Sequence, residues 1–313
     1  MTNHIFSEPE SKIRERFQGC LIGLAVGDAL GAPVEFLKRG EFEPVTDMQS
    51  GGAFNLPKGY WTDDTSLALC LAYSLLEKKG FDARDQLTKY LDWYENGYMS
   101  SVGYCFDIGG TTRSALADFK KSPDLLQAFG QSEHCAGNGS IMRLAPVPMF
   151  YLNDRYKAVD YAMQSSQTTH NVQTCMGGCA LLSSVLWHLL TGHHRIESLI
   201  CSREAVGGID FLKMSFGHFF DKPRSEIKGN GYVVDSLEAA LWCFMHTNSY
   251  ADAVLEAVNL GDDSDTTAAI TGQLAGAFYG INGIPETWKR QLYDYEHLIS
   301  VANSLFDEGY EDK

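Results

Sequence analysis

A run of small residues entered through a cluster of carboxylates sets the strongest limit on how this chain folds. Positions 261–280 read Gly-Asp-Asp-Ser-Asp-Thr-Thr-Ala-Ala-Ile-Thr-Gly-Gln-Leu-Ala-Gly-Ala-Phe-Tyr-Gly. Ala268, Ala269, Gly272, Ala275 and Gly276 let a helix lie close against its neighbours, which buries its start. Asp262, Asp263 and Asp265 crowd that start. One carboxylate is enough to cap a helix and complement its dipole. Three, interleaved with the hydroxyls of Ser264, Thr266 and Thr267, supply more hard oxygen than capping needs. Such a cluster repels itself unless a divalent cation sits in it, and Mg²⁺ or Mn²⁺ takes this kind of ligand.

A second acidic knot, Trp61-Thr62-Asp63-Asp64-Thr65, stands before the apolar helical pattern of 66–76. Either knot alone reads as an ordinary N-terminal cap. Two of the same design, each with an Asp-Thr step entering an apolar helix, imply one shared metal site.

The remaining periodicity is helical. Patterns at three- and four-residue spacing predict helices from 13 to about 31, with glycines 23, 27 and 31 one turn apart, and over 62–79, 83–96, 109–120, 124–129, 142–150, 155–164, 171–190, 236–245, 250–259, 264–279 and 285–306. The loop from Pro33 to Gly59 is long enough to cover something, and 207–230 is mixed and loop-like. Period-two alternation is nearly absent, 231–234 being a possible exception. No fixed-period repeat and no Pro- or Ser-rich linker divides the chain. The reading is one compact all-α domain over 13–306, with a disordered lead-in at 1–12 and an acidic tail at 307–313.

Composition excludes more than it identifies. The 313 residues, 44% hydrophobic, suffice for a sizeable core. A formal charge of −15 and no Lys/Arg cluster argue against a nucleic-acid surface. The eight cysteines are scattered without zinc-site spacing. The N-terminus lacks a signal pattern, and the longest apolar runs read as too short for a membrane span. A cytoplasmic monomer off the membrane is the expectation.

Three further stretches suggest a cleft. Cys135-Ala-Gly137-Asn138-Gly139-Ser140-Ile-Met-Arg143 is a glycine-bracketed turn entering a helix, whose amides suit phosphate oxygens, though it matches neither common nucleotide-loop pattern and reads equally well as a plain turn with Ser140 capping the next helix. Phe106-Asp-Ile-Gly-Gly-Thr-Thr112 is a similar turn, with Asp107 either a cap or a group aimed inward. His170 sits at a break between two helices, where a lone histidine is most often structural.

Together, Gly27-Asp28-Ala29-Leu30-Gly31 with Glu35, the 61–65 knot, Phe106 to Gly109, Gly137 to Ser140, Thr169-His170, the stretch from Gly231 to Ala240 and the 261–266 knot resemble the ADP-ribosylglycohydrolase family, in particular its dinitrogenase reductase-activating, arginine-directed branch. The matches run in family order over roughly 17–280. The resemblance implies an all-helical hydrolase with two Mg²⁺ or Mn²⁺ ions that releases ADP-ribose from modified protein. It implies Thr62, Asp63, Asp64, Asp263, Asp265 and Thr266 as metal ligands, and Asp107, Glu35 and Asp64 as the carboxylates serving the chemistry. It also implies Gly137, Asn138, Gly139 and Ser140 around the diphosphate, His170 at the ribose and phosphate side, and Tyr232 on adenine. Ser264 and Gly110 depart from the family's commonest residues, and neither removes a ligand.

The chemistry agrees with the residues. Cleavage at C1″ of ribose passes through an oxocarbenium-like state, which asks for one carboxyl near the leaving group and an activated water. Asp107 or Glu35 can assist that proton movement. The linkage expected is to arginine, with serine-linked or small-molecule conjugates as the alternative. An HD-type phosphohydrolase would need a His-Asp step, which is absent. A non-catalytic ADP-ribose-binding relative would be expected to have lost metal carboxylates, all present here.

Overall fold

The fold is organised by one pair of helices that touch backbone to backbone. In the computed structural model, which describes residues 8–205 and 207–310, helix α1 (Glu10–Gly31) runs antiparallel to helix α12 (Ser264–Tyr279). Gly19, Gly23 and Gly27 meet Gly276, Gly272 and Ala268 in turn, and Gly31 reaches the backbone of Asp265. A Cβ at Gly23 would run into the carbonyl of Gly272, and one at Gly272 into that of Gly23. The four-residue glycine spacing thus sets both the helix separation and the register, and it carries the last turn of α1 to the first turn of α12.

Between these two lie α2 (Asp63–Lys78), α3 (Ala83–Asn96), α4 (Gly110–Lys121), α5 (Pro146–Phe150), α6 (Arg155–Gln167) and α7 (Gln173–Leu190). They are followed by α8 (Arg195–Cys201), α9 (Ile209–Ser215), α10 (Val233–His246) and α11 (Tyr250–Val258). After α12 come α13 (Glu286–Gln291) and α14 (Tyr295–Tyr310). Among the described residues there is no strand, only three isolated bridges. Helices α1, α7 and α12 are almost wholly buried and form the centre of a single all-α domain, with α2, α10, α11 and α14 packed around them.

Several expectations are corrected. The apolar segment Glu10–Val34 is long and apolar enough to cross a membrane by length and composition, contrary to the sequence reading. Its most apolar window is 89% buried inside the protein, where it serves as the core helix. Residues 124–129 are not helical: Pro123 lacks an amide, and the Ala128 amide is committed to the carbonyl of Gln167. The 142–150 helix is only α5, because Pro146 cannot continue a helix begun before it. The Gln273 side chain holds the preceding turns, accepting from the Ala145 amide and donating to the carbonyls of Ile141 and Met142. The possible strand at 231–234 is one bridge, Gly137 to Tyr232, followed at once by α10. The 285–306 helix is two, broken where Asp294 takes a left-handed conformation and the Tyr293 amide donates to Gly59. Helices α8 and α9 were not anticipated. Residues 10–12, expected in a disordered lead-in, are helical, since α1 starts directly after Pro9; residues 1–7 of that expected lead-in lie outside the described residues. The tail is helical to Tyr310, and 311–313 lie outside the described residues.

Candidate active site

The end of α1 and the starts of α2 and α12 converge, and Asp28 joins the first two. Fully buried on α1, it accepts from the Thr62 amide (2.8 Å) and hydroxyl (3.0 Å) and from the Thr65 amide (3.0 Å) and hydroxyl (2.6 Å). It therefore caps α2 from another helix. The N-cap residues Thr62 and Asp263 make no side-chain cap bond of their own. This leaves the carboxylates of both knots free of capping duty.

The knots interlock. The Thr62 hydroxyl reaches Asp265 Oδ2 (3.2 Å), and the Thr266 hydroxyl donates to Asp64 Oδ1 (3.2 Å). Asp263 accepts from Asn138 Nδ2 (2.7 Å), which ties the glycine turn to the second knot. Around this junction opens a cavity of about 410 Å³ whose wall carries five carboxylates, Glu35, Asp63, Asp107, Asp263 and Asp265, and no Lys or Arg. Carboxylate oxygens of Glu35, Asp107 and Asp265 lie within 4.8 Å of one another.

Unbalanced negative charge is written into the titration. Burial, reinforced by Asp107, Asp263 and Asp63, pushes Glu35 up to about 11. Burial also pushes Asp107 up to about 8. Asp63, Asp64 and Asp265 are raised well above the ordinary carboxylate range, and Asp263 is raised too, burial again leading. Glu35 Oε2, Asp64 Oδ2 and Asp265 Oδ1 are buried without a hydrogen-bond donor. Orphaned acceptors of this kind are costly unless a proton or a cation meets them. Clustered hard oxygens with free lone pairs and no basic neighbour fit a divalent cation.

Backbone strain gathers at the same wall. Phe36, Asp107 and Asp262 all have left-handed φ, at 67°, 58° and 59°. The Phe36 amide donates to Asp262 and the Asp262 amide to Leu37, so the Glu35 segment is clamped to the second knot. Phe54, from the long 33–59 loop, packs on both Phe36 and Phe106 and so links the Glu35 and Asp107 segments.

The glycine turn lines the same cavity. Gly137, Asn138 and Gly139 line the cavity, and the amides of Gly139 and Ser140 donate to no group among the described residues. Ser140 itself is buried, its hydroxyl bonded to Ser166 and Cys179 rather than facing the cavity. His170 lines the cavity against the turn. Burial and then Arg143 lower its pKa to about 3, so the imidazole is neutral. Tyr232 is 43% exposed and lines a neighbouring groove instead of the cavity wall. Thr62 and Asp64 are fully buried below the wall. Ile108, Thr111, Thr112 and Met142 line the cavity from the two turn stretches, 106–112 and 135–143, that the sequence singled out, although none of the four was expected as a site residue; the bracing roles of Asp28 and Asn138 were not anticipated.

A helical domain with an acidic cleft beside a phosphate-ready turn defines the class, and comparison with known proteins supplies the family. The sequence model described as ADP-ribosylglycohydrolase matches residues 9–313, and the chain belongs to that family of enzymes. It is 40% identical over 299 residues to the ADP-ribosylarginine hydrolase Tri1 of Serratia proteamaculans, covering 95% of this chain and 81% of that one. It is 30% identical over 284 residues to the ADP-ribosyl-[dinitrogen reductase] glycohydrolase of Rhodospirillum rubrum, covering 90% and 91%. A solved structure titled ADP-ribosylglycohydrolase-related protein complex superposes with a TM-score of 0.84 at 37% identity, covering 96% of this chain and 99% of that one.

Proposed function

We propose that this enzyme hydrolyses the N-glycosidic bond between ADP-ribose and a modified arginine side chain in a protein. The observation that carries the reading is the Glu35–Asp107–Asp265 carboxylate group and the Gly137–Asn138–Gly139 turn lining one cavity, in a chain so similar to an ADP-ribosylarginine hydrolase. The turn's free amides and His170 suit the diphosphate, which places the ribose C1″ toward the acids.

Two Mg²⁺ or Mn²⁺ ions held by Thr62, Asp63, Asp64, Asp263, Asp265 and Thr266 would supply positive charge for the ribose hydroxyls and for a water. Asp107, whose carboxylate lies within 4.8 Å of those of Glu35 and Asp265, would carry the proton for the leaving group. It gives that proton to the guanidine nitrogen as the C1″–N bond breaks, and water adds its oxygen to C1″. The water's second proton returns to the carboxylate pair, so ADP-ribose and unmodified arginine leave and the enzyme is restored. Glu35, clamped through Phe36 and Leu37 to Asp262, keeps the pair in register. The cysteines, free thiols throughout, suit work in the cytoplasm.

The test is to incubate the enzyme with arginine-, serine- and cysteine-linked ADP-ribosyl peptides in Mg²⁺ and follow free ADP-ribose. Preference for the arginine linkage is expected. Preference for serine, or release from none of them, rejects the reading.

A further inference from the structure

Arg143 is one of the most deeply buried side chains in the molecule, fully inaccessible and without a carboxylate partner among the described residues. Its guanidinium stacks on Tyr90, 4.5 Å from the ring centroid, and its Nε and Nη1 have no acceptor. The single hydrogen bond it makes is from Nη2 to the hydroxyl of Thr169, at 2.7 Å. A buried charge kept for one hydroxyl contact is expensive. The proposed hydrolysis makes no use of this guanidinium.

The Thr169 hydroxyl shows what that contact does. It is fully buried and lies 2.8 Å from His170 Nδ1. A guanidinium can only donate, so Thr169 Oγ1 must accept from Arg143. The hydroxyl proton then has one acceptor in reach, His170 Nδ1. Nδ1 is thereby the unprotonated ring nitrogen, and the N–H is on Nε2. The opposite tautomer would leave the Thr169 proton buried without an acceptor, which is unfavourable.

The ring is also fixed in place. The His170 amide donates to the Ser166 carbonyl (2.7 Å), and the Ser166 hydroxyl donates to the His170 carbonyl (2.9 Å). The imidazole lies flat against the glycine turn: a Cβ built on Gly139 would stand 3.0 Å from Nε2, and one on Gly137 3.5 Å. Nε2 itself makes no hydrogen bond to the described residues. His170 lines the cavity beside Gly137 and Gly139, and the Gly139 amide donates to no described residue.

We propose that Arg143 and Thr169 are positioning residues that lock His170 as the Nε2–H tautomer, making the imidazole an uncharged donor that joins the turn's amides on an anionic phosphate oxygen of the ligand. The ligand half rests on the function proposed above; the tautomer half does not. A neutral donor suits this place, because the same cavity carries five carboxylates that an imidazolium would pair with instead of with phosphate.

The test has two readouts. Nitrogen-15 NMR of imidazole-labelled wild-type protein near neutral pH, with the His170 signals assigned by loss in His170→Asn, reports the tautomer without any ligand. Nε2–H is expected, and Nδ1–H in the wild type overturns the proposal whether or not any variant folds. The second readout compares Thr169→Ser, which keeps the hydroxyl, with Thr169→Val, which removes it. The serine variant should keep wild-type behaviour. The valine variant should lose the fixed tautomer, bind free ADP-ribose roughly tenfold more weakly, and raise KM for an arginine-linked peptide more than it lowers kcat. Wild-type affinity in Thr169→Val overturns the phosphate role. Wild-type protein that shows the Nε2–H tautomer but binds no ADP-ribose overturns the ligand half together with the proposed function.

Discussion

The hydroxyl of Thr266 donates to Asp64 at 3.2 Å although the two are 202 residues apart. With Thr62 reaching Asp265 in the opposite sense, the two acidic helix starts share protons as well as space. Neither knot is therefore expected to act alone.

Asp265→Asn is the first consequence. It should lower hydrolysis by at least about 100-fold and abolish the rise in Tm on adding Mg²⁺ or Mn²⁺, since a ligand charge is gone. The metal-free variant should be as stable as the wild type or more so, because Asp265 is buried among like charges. Thermal melts with chelator and with Mn²⁺, alongside the helical circular dichroism, check all three.

Stability should depend on pH and metal together. In the folded metal-free protein Glu35 titrates near about 11 and Asp107 near about 8, against ordinary values of 4.5 and 3.8. A carboxyl raised on folding contributes stability that is fully present below its unfolded value and lost as pH rises through its folded value. Between about pH 7 and 9 the metal-free Tm should therefore fall. His170 and His188, lowered to about 3 and about 4, are neutral in both states there and do not interfere. Metal binds the deprotonated acids, so the Tm gain from Mn²⁺ should grow over the same interval. A gain that shrinks with pH would contradict the shared site.

Asp107→Asn separates chemistry from binding. The amide keeps size and hydrogen bonding but cannot carry the proton, so kcat on an arginine-linked peptide should drop by about 100-fold or more. Affinity for free ADP-ribose, measured by calorimetry, should change far less.

Asp28→Ala should unfold the entry to α2 without touching a cavity-lining residue. It strands the buried amides of Thr62 and Thr65 and the Thr65 hydroxyl, at about 2 kcal/mol or more. Denaturant melts should show that loss, and activity should fall with it because Asp63 and Asp64 stand on the same turn.

Gly272→Ala is a test of sign. Helix propensity alone favours alanine by about 1 kcal/mol. The added Cβ meets the backbone of Gly23, which cannot move aside as a side chain can. Destabilisation of about 2–3 kcal/mol is expected from the overpacking, and a stabilised variant would refute the backbone contact.

What the sequence determined on its own was whatever is local or periodic. The helical period gave the all-α class. The limits of α3 were legible to the residue, because Asp82 caps its start and Gly97, left-handed, ends it. The acidic knots were legible because three carboxylates exceed what one helix start can use, and the family followed from their order. Tertiary structure decided what depends on distant partners. Nothing local shows that Asp28 caps α2 or that Ser140 turns from the cavity while His170 faces it. Nothing local shows that Tyr232 stands outside the wall, or that Gln273 replaces the hydrogen bonds of a helix broken at Pro146. The apolar α1 shows the reason most plainly. Its composition fits a bilayer or a protein core equally well, and only the glycines of α12 against its own, brought together by folding, settle which solvent it is in.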